Sequence, residues 1–65
     1  MIIAFTKINK NEDVLIRKEE EQFKVEYRIN LNTITNEKFR NYVSAEIFYS
    51  KWVSGLMKDR GDDYN

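Results

Sequence analysis

Residues 35–60 read TNEKFRNYVSAEIFYSKWVSGLMKDR. This stretch holds the only tryptophan, Trp52, together with Phe39, Phe48, Tyr42 and Tyr49. It contains no proline, and its apolar residues recur at three- and four-residue spacing, so it predicts one long helix over residues 35–60. Thr35 suits the N-cap, with Thr33 or Asn36 as alternatives, and Glu37 suits the first turn. Gly61 follows the last periodic residues as a C-terminal cap, beside Lys58 and Arg60.

At 100° per residue, one arc of this helix gathers Phe39, Tyr42, Val43, Tyr49, Val53, Leu56 and Met57, with Ile47 at its margin. That arc is assigned to a sheet. Glu46 and Ser50 interrupt it, which requires Glu46 to be paired or to sit at an edge. Ala45, Phe48 and Trp52 carry the apolar surface round to one flank, beyond what a small sheet covers. Phe48 and Trp52 lie one turn apart, and Gly55 beside them admits close approach of another backbone. Ala45, Phe48, Trp52 and Gly55 therefore make a candidate protein interface. The competing reading is that a long loop or the C-terminal tail covers the pair, or that the helix breaks near Ser44 and both halves pack inward.

Upstream of the helix, residues 23–30 alternate Phe23, Val25, Tyr27 and Ile29 with Lys24, Glu26, Arg28 and Asn30, the pattern of a half-buried strand. Residues 14–20 form a second strand whose inward candidates, Val14 and Ile16, are even-numbered. The change of parity demands a hairpin with an even-numbered loop. A loop at Glu21-Gln22 sets Ile16 opposite Tyr27 and Arg17 opposite Glu26, and is preferred. A loop at Glu20-Glu21 keeps the faces but sets Arg17 against Lys24. Residues 1–8, MIIAFTKI, form the first strand. One register turns Ile2, Ala4, Thr6 and Ile8 inward, with Ile8 opposite Val14, and leaves Ile3 and Phe5 outside with Leu15. The other reverses this. Ile3, Phe5 and Leu15 are taken as a second contact patch on the sheet.

The fold expected is α+β: a three-stranded antiparallel meander (residues 1–8, 14–20 and 23–30) packed on one long C-terminal helix, with residues 61–65 a frayed tail. Sixty-five residues make one domain, and so short a chain has a marginal core unless it packs well or associates. There is no cysteine and no histidine. Disulfides, thiolate metal sites and imidazole chemistry are thereby excluded, and no metal or cofactor is expected. Ser44, Ser50 and Ser54 have no histidine partner for nucleophilic catalysis. The acidic groups at Glu19-Glu20-Glu21 and at Asp59, Asp62 and Asp63 read as a solvated hairpin tip and tail, and Arg60-Gly61-Asp62 as a helix end. The chain is not expected to be an enzyme.

The formal net charge is zero, which argues against a general nucleic-acid coat protein. Arg40, Lys51 and Lys58 fall on one helical stripe and supply the alternative function, a nucleic-acid-binding accessory protein. MIIAF is too short for a signal peptide or a membrane span, so a cytoplasmic protein is expected. Residue usage rich in Lys, Asn, Ile and Glu matches AT-rich coding, as in many phages. The function expected is a small protein-binding regulator or inhibitor, phage-encoded and directed at a host protein, that also forms a homodimer.

Overall fold

The computed structural model describes residues 1–61. It contains β1 (Ile2–Lys7), β2 (Glu12–Glu19), β3 (Gln22–Ile29), β4 (Asn32–Phe39) and α1 (Tyr42–Gly61). The strands form one antiparallel sheet in the order β1-β2-β3-β4, and α1 packs across one face. The expected three-stranded meander is thus corrected to a four-stranded one. The first part of the expected helix is a strand.

Two local features place this boundary. After β3 the chain turns in two residues, Asn30 and Leu31, with Ile29 opposite Asn32. Both turn residues have positive φ, 53° and 69°, as a type I′ hairpin turn requires. The β-branched run Thr33-Ile34-Thr35 then pairs along the edge of β3, with one extra residue at Ile34. The helix cap is Asn41, not Thr35. Its Oδ1 accepts the Ser44 N–H at 2.8 Å, and its carbonyl accepts the Ala45 N–H at 3.3 Å. Gly61 is the last helical residue. The tail expected at residues 62–65 lies outside the described residues.

Leucine pays a steric penalty at φ 69° that glycine does not. Leu31 is also exposed, so it loses little packing on removal. Leu31→Gly creates the favoured Asn-Gly turn and is expected to stabilise the fold by about 1 kcal/mol, read as a higher urea midpoint.

The hairpin between β2 and β3 turns at Glu20-Glu21, the register not preferred from sequence. Ile16 therefore faces Val25, Val14 faces Tyr27, and Arg17 faces Lys24. The like-charge pair is relieved diagonally. Arg17 Nε reaches Glu26 at 2.7 Å, and Lys24 lies 3.4 Å from Glu19 and 3.8 Å from Glu26. Long side chains make such diagonal contacts easily, so directly opposed charges are a weak guide to register.

In β1, Ala4 faces Ile16, Phe5 faces Leu15 and Thr6 faces Val14. Ala4, Thr6 and Ile8 are on the helix side, and Phe5 is outside. An irregularity between Ile2 and Ala4 turns Ile2 out as well, which neither uninterrupted register allowed. The fully buried core is Val14, Ile16 and Val25 from the sheet with Ala45 from α1. Around it pack Phe23, Tyr27, Phe39, Phe48, Trp52 and Leu56.

The helix therefore turns a different side to the sheet from the one expected. Ala45, Phe48, Tyr49, Trp52, Val53 and Leu56 lie inward at spacings of three and four residues. Val43 is 63% exposed and Ile47 52%, although both were assigned to the sheet. Moving the start of the helix past Phe39 explains the rotation. Phe39 fills the sheet side from β4 and no longer counts toward a helical arc. Glu46 lies on the exposed side and accepts a hydrogen bond from the Tyr42 hydroxyl at 3.1 Å, so its charge stays in water. That hydrogen bond and the Glu46 charge raise the Tyr42 pKa.

Candidate functional site

Four aromatic rings run in a chain from β4 through α1 to β3. Phe39 and Phe48 have centroids 5.3 Å apart, Phe48 and Trp52 5.2 Å, and Trp52 and Tyr27 5.8 Å. None of these pairs is a flat sandwich, and the tilted or edge-on geometry is the favoured one. The inner faces of Phe48 and Trp52 belong to the core. Their outer edges remain at the surface and, with Lys51, line a shallow, mainly apolar depression of about 290 Å³.

The structure divides the four helix residues assigned to an interface. Phe48 and Trp52 border the depression but are half-buried. Ala45 is fully buried against the sheet, where a small side chain lets α1 approach β2 and β3. Gly55 is exposed one turn beyond Lys51, and a Cβ built there meets no atom within 4 Å. The flank available to a partner is thus the outer edge of Phe48 and Trp52, the Lys51 side chain and the open backbone at Gly55.

The second predicted patch also divides. Ile3 and Phe5 are exposed, whereas Leu15 is 0% exposed although it lies on the sheet face away from the helix. Phe5 and Glu26 stand opposite it on the two neighbouring strands. Around this row Arg17 holds Glu26, and Arg28 grips Asp13 through two hydrogen bonds of 2.7 and 3.1 Å. Thr33 donates to the other Glu26 oxygen at 2.7 Å. A layer of paired charges with long alkyl stems therefore replaces a second helix as the lid over Leu15.

Glu26 is almost fully buried, which opposes its ionisation. Hydrogen bonds from Arg17 and Thr33, with the positive charges of Arg17 and Lys24, outweigh burial and lower its pKa below the ordinary 4.5. A depressed carboxylate pKa contributes stability that is complete above the unfolded value and is lost as pH falls through the folded value. Thermal stability is therefore expected to decline below about pH 4.5, and Glu26→Gln to be less stable at pH 7 with a shallower acid decline. Melting temperatures measured from pH 7 to 3 in both proteins check this. For Arg28, the hydrogen bond and charge of Asp13 raise the guanidinium pKa against a smaller effect of burial.

The basic stripe does not form as expected. Arg40 precedes α1, in the two-residue link to β4, while Lys51 and Lys58 lie on the helix. Sequence reasoning also missed the polar anchor at the opposite end of the sheet. Asn9 accepts the N–H groups of Asn11 and Glu12 and donates to the Glu12 carboxylate at 2.7 Å, and Tyr27 donates its hydroxyl to the same carboxylate. The Asn9-Lys10-Asn11 sequence signals a turn, but nothing local signals that Tyr27 will reach Glu12.

Among the described residues, no group of three or more metal-binding side chains converges, and no helix is long and apolar enough to cross a membrane. Comparison with protein-family models, curated proteins and solved structures finds no match. What the geometry presents is a small α+β domain with a surface aromatic cluster.

Proposed function

We propose that this is a non-catalytic protein-binding domain that receives an apolar side chain of its partner in the depression formed by Phe48, Lys51 and Trp52. That depression is the observation that carries the reading. Its floor is held rigid because both rings are wedged against Phe39 and Tyr27, so little side-chain ordering is required on binding. Aromatic groups at the centre of a contact are the usual energetic anchors. Lys51 on the rim favours a partner segment with an acidic residue beside its apolar anchor, and Gly55 lets the partner's backbone come close. A phage-encoded modulator or inhibitor would act in this way, by covering a surface that a host protein uses.

Trp52 is the only tryptophan and serves as the reporter. Titration with a peptide library carrying Leu or Phe beside Glu or Asp is expected to yield sequences that shift its emission saturably. Lys51→Glu should weaken those sequences at least ten-fold, which is about 1.4 kcal/mol. Gly55→Gln should block them while leaving the fold intact, because the position is open and helical. Selected peptides that bind both variants as tightly as the parent would refute the site.

A further inference from the structure

The sheet has two edges, β1 and β4, and they are built differently. β4 is interrupted by its extra residue at Ile34 and carries Asn36, Glu37 and Lys38, the devices that discourage edge pairing. β1 is irregular only at its start, and its residues 2–6, IIAFT, carry no charged side chain. Ile2, Ile3 and Phe5 are all exposed there.

The backbone of β1 states what kind of group it accepts. The Ile8 N–H donates to the Glu12 carbonyl at 2.9 Å, which directs Ile8 toward β2. By the alternation of an antiparallel ladder, Thr6 and Ala4 also face β2, whereas Phe5 and Lys7 turn their N–H and C=O groups outward. Water satisfies these groups one by one in the monomer, and another extended chain satisfies the whole row together.

We propose that two copies of the protein pair through β1, antiparallel about a twofold axis close to Phe5, giving one continuous eight-stranded sheet. A second copy fits this edge on three counts. The uncharged run places no like charges opposite each other across the axis, which twofold pairing of β4 near Glu37 and Lys38 would do. Phe5 meets Phe5 or Ile3 of the second copy on the outer face, and small Ala4 and Thr6 meet on the helix side. The formal net charge of zero puts no long-range repulsion between copies. α1 lies mainly over β2, β3 and β4 and reaches β1 through the Tyr49 hydroxyl, which hydrogen-bonds Thr6, so the helix axis stays back from the β1 edge and the sheet can extend past it. One pair of short strands buries less than the about 1,000 Å² of a standard stable interface, so the dimer is weak and reversible.

Sedimentation equilibrium should show the average mass rising from monomer toward twice the monomer as concentration increases from about ten micromolar to about one millimolar, the range of a small interface. Phe5→Lys should remain monomeric with an unchanged circular dichroism spectrum, whereas Lys51→Glu should dimerise as the parent does. In the unmodified protein, exchange of the Phe5 amide should slow as concentration rises, while that of Thr6 should not. A parent that stays monomeric to millimolar concentration, or a Phe5 amide whose exchange ignores concentration, would overturn the proposal.

Discussion

Trp52→Ala is expected to cost about 3 kcal/mol of folding stability, the lower end for removing a large aromatic side chain from a packed site. The reason is geometric. Trp52 stands between Phe48 on its own helix and Tyr27 on β3, and it packs against the buried group of Val14, Ile16, Val25 and Ala45. Its removal takes away the ring that joins Phe48 to Tyr27, and the sheet cannot close the gap. A chain of this size has a total stability of only about 3–5 kcal/mol. The variant should therefore be largely unfolded at 37 °C, read as loss of the cooperative thermal transition in circular dichroism. Trp52→Phe keeps a ring at the site and should retain a transition at lower temperature. If the side chain served only a partner, Trp52→Ala would melt as the parent does. Testing the Phe48–Lys51–Trp52 depression therefore calls for substitutions at Lys51 and Gly55, which leave the core alone.

Leu15→Ala is expected to cost about 2–4 kcal/mol, although no helix covers that face. An exposed leucine would cost within about 0.5 kcal/mol on substitution. Leu15 is fully buried, and its neighbours are held by charge-assisted bonds that resist collapse into a cavity. Arg17 is fixed to Glu26 and Arg28 to Asp13, so the lid cannot sink without breaking an ion pair. Leu15→Met conserves volume and should cost less than about 1.5 kcal/mol. Urea unfolding of the two variants distinguishes a buried leucine from one on a bare contact face.

The two results concern residues that the sequence makes look alike. Trp52 and Leu15 are both apolar residues on faces where a small sheet and one helix leave surplus surface. Composition and periodicity assign such surplus to an interface, because neither registers what lies across the sheet. The central strand β3 was legible, since Phe23, Val25, Tyr27 and Ile29 alternate with charged or polar residues. The parity switch between β2 and β3 was legible too, but not the loop that executes it. Opposed charges favoured Glu21-Gln22, and the diagonal pairing of Arg17 with Glu26 defeats that argument.

β4 was hidden for a physical reason. As an edge strand exposed on both sides it needs few apolar residues, and only Phe39 contributes substantially to the core. Its polar alternation is weak, and its sequence runs without a break into a strongly helical pattern. The strand was signalled by Asn30, a residue tolerant of positive φ, and by the β-branched Thr33-Ile34-Thr35 run, which disfavours a helix. The lost turns of helix then shifted the apparent apolar arc. Val43 and Ile47 came to look buried, and Phe48 looked like a flank. The candidate depression was legible in its residues but not in its depth, because the depth depends on Phe39 and Tyr27 holding the rings from behind.

The most direct measurement is backbone NMR over residues 30–45. The four-stranded fold predicts strand-type secondary shifts over Asn32–Phe39, cross-strand contacts of Thr35 with Tyr27 and of Glu37 with Val25, and helical shifts only from Tyr42 onward. Helical shifts beginning at Thr35, with sequential contacts three residues apart through Arg40, would contradict it.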